Sequence, residues 1–127
     1  MIRQSLLLCC AMLTAAAPIS SAASAPLSDS TQKDVQCFIL FAAATDRAAT
    51  ADDGKAKEAA TLGIMYYIGK LAVDAPGLNL VDAVRQQASV MEGNSQLKQI
   101  GESCDAEFAK RGSELRDVGT QLQKPSP

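Results

Sequence analysis

The chain contains no histidine. That removes the side chain most used as a general acid or base near neutral pH. It also removes the usual base for activating a cysteine nucleophile, and with it one of the common zinc ligands. The eight glycines are scattered, so there is no glycine-rich phosphate loop. No basic patch stands out among 12 Lys and Arg against 14 Asp and Glu, which argues against a nucleic-acid partner. Proline is nearly missing from the body of the chain. Between Leu27 and Lys124 the only one is Pro76.

Carboxylates are the remaining route to hydrolytic chemistry. The acid pairs on offer are Asp52-Asp53 and Glu102-Asp105, and pairs at such spacing on helices read as solvated faces. Asp52-Asp53-Gly54 also fails as a calcium loop. Its first, third and twelfth ligand positions would be Ala49, Ala51 and Ala60, none of which offers a side-chain oxygen. The reading is a protein that is not an enzyme and that carries no cofactor and no metal.

What is present begins with an export signal. Arg3 and the amino terminus form a short positive region. Leu6 to Ala17 is an uncharged apolar stretch of 12 residues, short of the roughly 20 that span a bilayer. Pro18 breaks it, and Ser20, Ser21, Ala22 and Ala23 supply small residues for a peptidase. Cleavage is expected after Ala22 or Ala23, because Pro26 disfavours a cut after Ala25. A lipidated cysteine is disfavoured by Leu8 before Cys9. The expected organisation is a cleaved signal peptide at 1–22 and one helical domain at 23–127 with short flexible ends. The product is periplasmic or secreted and has no stable membrane anchor. Loss of Arg3 leaves 11 basic residues against 14 acidic ones, a net charge of −3.

Cys9 and Cys10 leave with the signal, and Cys37 and Cys104 remain. In an oxidising compartment two such cysteines are expected to pair. The loop is near 70 residues, for which chain entropy gives a stabilisation of roughly 4 kcal/mol.

Abundant alanine and the lack of strand-like alternation predict an all-α protein, a small bundle of about four helices. The first begins near Ser28 or Ser30 and runs to about Ala48. Its centre, Cys37 to Ala44, is apolar nearly all round, as in a central helix. The second starts near Thr50, with Thr50 and Asp53 in a capping-box relation, and stops before Ala75-Pro76-Gly77. The third runs from Asn79 as cap to about Met91, with Val81, Val84, Ala88 and Met91 as its apolar stripe. Gly93-Asn94 ends it. The fourth spans about Ser95 to Gln123, with a break near Gly112 left open. Its stripe is Leu97, Ile100, Cys104, Phe108, Leu115, Val118 and Leu122. The disulfide would join the first and last helices. Only 22 Leu, Ile, Val and Phe residues follow Ala22, a thin core that such a crosslink would compensate.

Gly63 to Lys70 holds both tyrosines. Neighbouring tyrosines on a helix point about 100° apart, so Tyr66, Tyr67 and Lys70 form a candidate binding surface. The alternative is that the rings fill the core beside glycines that let another helix approach.

Cys37-x-x-x-x-x-Ala43, the Tyr66-Tyr67-Ile68-Gly69-Lys70-Leu71 helix and the late Cys104 resemble a group of uncharacterised small exported bacterial proteins with one cysteine pair. The likeness spans Asp34 to Leu122 and carries no activity with it. In architecture the chain is also similar to the HdeA-type acid-stress chaperones of the periplasm. That likeness implies a holdase whose partner is another protein. The other readings are an inhibitor or immunity-type partner protein, and a small-ligand carrier with a pocket near Tyr66 and Tyr67. The sequence leaves oligomeric state open.

Overall fold

The computed structural model describes residues 25–123. The expected signal peptide at 1–22, with Cys9 and Cys10, lies outside the described residues, as do 124–127 of the tail. Four helices and no strand occur among the described residues: α1 Asp29–Thr50, α2 Gly54–Asp74, α3 Leu80–Met91 and α4 Leu97–Leu122. No helix among them is long and apolar enough to cross a membrane.

The helix ends follow local chemistry. Ser28 caps α1, its hydroxyl accepting from the Thr31 backbone N–H at 3.2 Å. Asn79 caps α3 in the same way through Asp82, at 3.2 Å. Gly77 and Gly93 take positive φ after α2 and α3, a conformation that glycine adopts at no steric cost. The expected Thr50–Asp53 capping box does not form. Thr50 is the last residue of α1, and its hydroxyl donates back to the Asp46 carbonyl at 2.9 Å. Asp53 alone caps α2, accepting from Ala56 N–H at 3.0 Å. The link between α1 and α2 is therefore only three residues, 51–53.

α1 is the central helix and packs against α2, α3 and α4. Its Cys37 bonds to Cys104 of α4, with 5.5 Å between the Cα atoms. Around the disulfide lie Phe41, Ala60 and Tyr67. Gly63 is required here, because a Cβ on it would fall inside the Phe41 ring. A second cluster, built on Val35, Leu71 and Ala83, joins α3 to α1 and α2.

α3 meets its expected stripe in part, with Met91 buried and Val84 packed half-buried against the second cluster. Its buried residues are Ala83, Gln87 and Met91, whereas Val81 is 60% exposed and Ala88 is exposed. Gln87 is tolerated inside because its Oε1 accepts from Gln36 Nε2 of α1 at 2.8 Å.

α4 is continuous through Gly112, and 26 residues make it about 39 Å long. The Arg111–Glu114 pair, at 2.6 Å, bridges that glycine. Cys104 lies beside Cys37, and Glu107 beside Lys33. α4 therefore runs antiparallel to α1. α1 begins about one turn before Asp34, and α2 ends one turn after Lys70. The last third of α4 runs past both. Leu115, Val118 and Leu122, expected on the packed stripe, are 72%, 52% and 81% exposed.

Candidate functional site

α2 carries Tyr66, Tyr67 and Lys70 to the junction with α1 and α4. Tyr67 has no exposed surface and so offers none to a partner. Its hydroxyl donates to the Cys104 carbonyl at 3.1 Å. Tyr66 stays half-buried, its hydroxyl donating to Glu107 Oε1 at 3.2 Å. The two tyrosines, Phe41 and Phe108 form one aromatic cluster. Phe41 lies 5.7 Å from Tyr67 and 5.5 Å from Phe108, centroid to centroid. Tyr66 meets Tyr67 edge-on at 4.9 Å and Phe108 at 5.8 Å, separations at which aromatic pairs attract. The space beside the tyrosines is thus filled by rings.

Lys70, one turn beyond Tyr66, donates to Asp34 Oδ1 at 2.8 Å and to Glu107 Oε1 at 2.7 Å. Lys33 of α1 donates to Glu107 Oε2 at 3.2 Å. Lys70 Nζ also sits 6.0 Å from the Tyr67 ring centroid. Asp34 is 1% exposed, and its Oδ2 has no hydrogen-bond partner.

The electrostatics follow from this crowding. Burial raises the pKa of the Tyr67 hydroxyl, and the Glu107 charge raises it further, so the hydroxyl remains a neutral donor. Burial disfavours the charge on Lys70, but hydrogen bonds to Asp34 and Glu107 outweigh it and raise its pKa. Burial likewise opposes the charge on Glu107, and hydrogen bonds from Lys70 and Lys33 outweigh it and lower its pKa.

Among the described residues, every side-chain hydrogen bond from α4 to another helix ends on Glu107 or on the Cys104 carbonyl. Cys104 is the only buried residue of α4. α4 is therefore held over the aromatic cluster by one disulfide, one buried hydroxyl and one carboxylate, together with the apolar packing of its Ile100 and Phe108.

The acid pairs lie elsewhere. Asp52 occupies a positive-φ turn position, and Asp53 is a helix cap. Glu102 and Asp105 are exposed on the rim of a cleft of about 420 Å³ between α1 and α4, with Arg47 and Lys98. No group of three or more Cys, Asp or Glu able to hold a metal occurs among the described residues.

Asp34, Lys33 and Glu107 went unmarked in the sequence. A signal for them existed. Asp34 lies three residues before Cys37 and Glu107 three after Cys104. With the disulfide fixing the register of two antiparallel helices, those positions face each other one turn away. No protein-family model, curated protein or solved structure matches this chain.

Proposed function

We propose that this chain is a non-enzymatic protein-binding module of the periplasm, an acid-stress holdase that uncovers its aromatic cluster when α4 loosens. The observation that carries this reading is the single carboxylate, Glu107, through which α4 is ion-paired to α1 and α2. The buried disulfide suits an oxidising compartment.

Acid acts on this arrangement in two ways. Protonation of Glu107 removes the ion pairs with Lys33 and Lys70, leaving two cations beside Phe108 and Tyr66. Protonation of all 14 carboxylates takes the processed chain from −3 toward about +11, and like-charge repulsion favours opening. The disulfide keeps α4 attached while Phe108 and Phe41 separate. The result is an apolar surface on a soluble cationic chain, suited to binding unfolding clients.

The test is aggregation of a client protein at about pH 2 to 3, with and without this chain in equimolar amount. Suppressed aggregation is expected. Equal aggregation in both samples would remove the holdase reading and leave the inhibitor and carrier readings standing.

A further inference from the structure

The two apolar clusters differ in which helices they need. The first is shared by α1, α2 and α4, with Ile100, Cys104 and Phe108 as the contribution of α4. The second, on Val35, Leu71 and Ala83, contains no residue of α4. The hydrogen bond between Gln36 and Gln87 likewise joins α1 to α3 without it. Between α1 and α2, Gly63 lets the Phe41 ring lie against the α2 backbone, and the link at 51–53 is short. α1, α2 and α3 therefore share a core and a hydrogen bond to which α4 adds nothing.

Asp34 and Lys70 stand at the seam between the clusters. Each is followed by a residue of the second cluster, Val35 and Leu71. One turn away from each is a residue of the first, Cys37 and Tyr67. The pair joins α1 to α2 at 2.8 Å, and the Asp34 side chain is only 2% exposed. Glu107, the other partner of that ammonium group, is 22% exposed. Around Glu107 stand Lys33 and Asp34 of α1, Tyr66 and Lys70 of α2, and Arg111 one turn on along α4 itself, beside Tyr66. Among the described residues, the ion pairs from α4 to other helices all end on Glu107. Loss of its charge removes them and leaves Lys70 with Asp34, so α2 stays joined to α1.

We infer that the fold opens along this seam: α4 is a flap on a body of α1, α2 and α3, tethered at Cys37–Cys104, and Asp34 is the residue that keeps the body closed when the flap lifts. Glu107 and Asp34 share one lysine but act on different helices. Glu107 sets whether α4 is down. Asp34 holds Lys70, and with it α2, on α1. The disulfide lets α4 swing without leaving. A lifted flap uncovers Leu40, Phe41 and Tyr66, which lie against Gly101 and Phe108 in the closed form. The surface so formed is an uncharged groove on a folded body, and it fits an apolar segment that takes the place of α4. Its use as a client site rests on the holdase reading. The binding form is then a folded body with one helix lifted, not an unfolded chain.

The experiment is backbone hydrogen exchange at neutral pH, with no client present. It uses the chain as processed by its host, with the disulfide intact. In the parent, α4 amides from Glu102 to Phe108 should be at least about tenfold less protected than amides near Val35, Leu71 and Ala83. Glu107→Gln should lower protection of that α4 stretch by about tenfold more and leave α1, α2 and α3 within about twofold of the parent. Asp34→Asn should instead lower protection near Val35 and Leu71 by at least about tenfold. Should Asp34→Asn not fold, the parent and Glu107→Gln still decide. Equal protection of α4 and the body in the parent overturns the inference. So does loss of protection in all four helices together in Glu107→Gln, or an Asp34→Asn chain whose body is protected as in the parent. Those results leave the holdase reading standing, with an unfolded chain as its binding form. Unsuppressed client aggregation in acid would remove that reading and leave the flap.

Discussion

Asp34 and Glu107 hold the same ammonium group: Lys70 Nζ lies 2.8 Å from one carboxylate and 2.7 Å from the other. Each comes from a different helix, so one lysine on α2 ties α1 and α4 together. The pair of contacts lies one helical turn from the disulfide and keeps α4 against the aromatic rings.

Removing the lysine should be costly. Lys70→Met leaves Asp34, 1% exposed, without a counter-charge and is expected to destabilise by about 2–3 kcal/mol, since Lys70 itself is partly solvated. Adding Asp34→Asn should recover part of the loss, so the double variant falls short of the sum of the single effects. Urea unfolding of the three variants measures this.

The pH profile should be flat across neutrality and fall on both sides. Glu107 has a lowered pKa, so its contribution is complete above its ordinary value of 4.5 and is lost as pH falls through the folded-state value. Lys70 and Tyr67 have raised pKa values. Their contributions are complete below their ordinary values of 10.5 and 10.0 and are lost as pH rises through the folded-state values. With no histidine, the melting temperature should be nearly constant from about pH 5 to 9, dropping below about pH 4 and above about pH 10.

The disulfide should carry much of the stability. A bond between residues separated by 67 positions is worth about 4 kcal/mol in the chain-entropy model. Cys37→Ser/Cys104→Ser is therefore expected to lower the melting temperature by more than about 10 °C. A shift within about 2 °C would contradict the stapling role.

Two glycines should respond in opposite directions. Gly63→Ala drives a methyl into the Phe41 ring and should destabilise by about 1–3 kcal/mol. Gly112→Ala meets nothing within 4 Å and should stabilise α4 by about 0.5–1 kcal/mol. Thermal melting separates the two.

Much of the fold was legible because its signals are local. Ser28 and Asn79 are caps by residue type, Pro76-Gly77 is a stop, and two cysteines in a histidine-free chain pair. The misreadings have a shared cause. Thr50 could cap the next helix or bond back into its own, and only the geometry of the turn decides. Gln87 looks like a surface residue until Gln36 reaches it. Leu115, Val118 and Leu122 carry a correct helical period, but periodicity marks a face without saying what covers it. At the candidate site, Tyr66 and Lys70 were visible as a cluster. Their partners Asp34 and Glu107 emerge only when two distant helices are set in register.

The most direct test is client aggregation at neutral pH with Glu107→Gln, which removes the latch charge without acid. If Glu107 holds α4 closed, this variant should protect a client at about pH 7, where the parent does not, while the parent gains the same protection only below about pH 4. A variant that is inert at neutral pH, beside a parent that protects in acid, would contradict the latch.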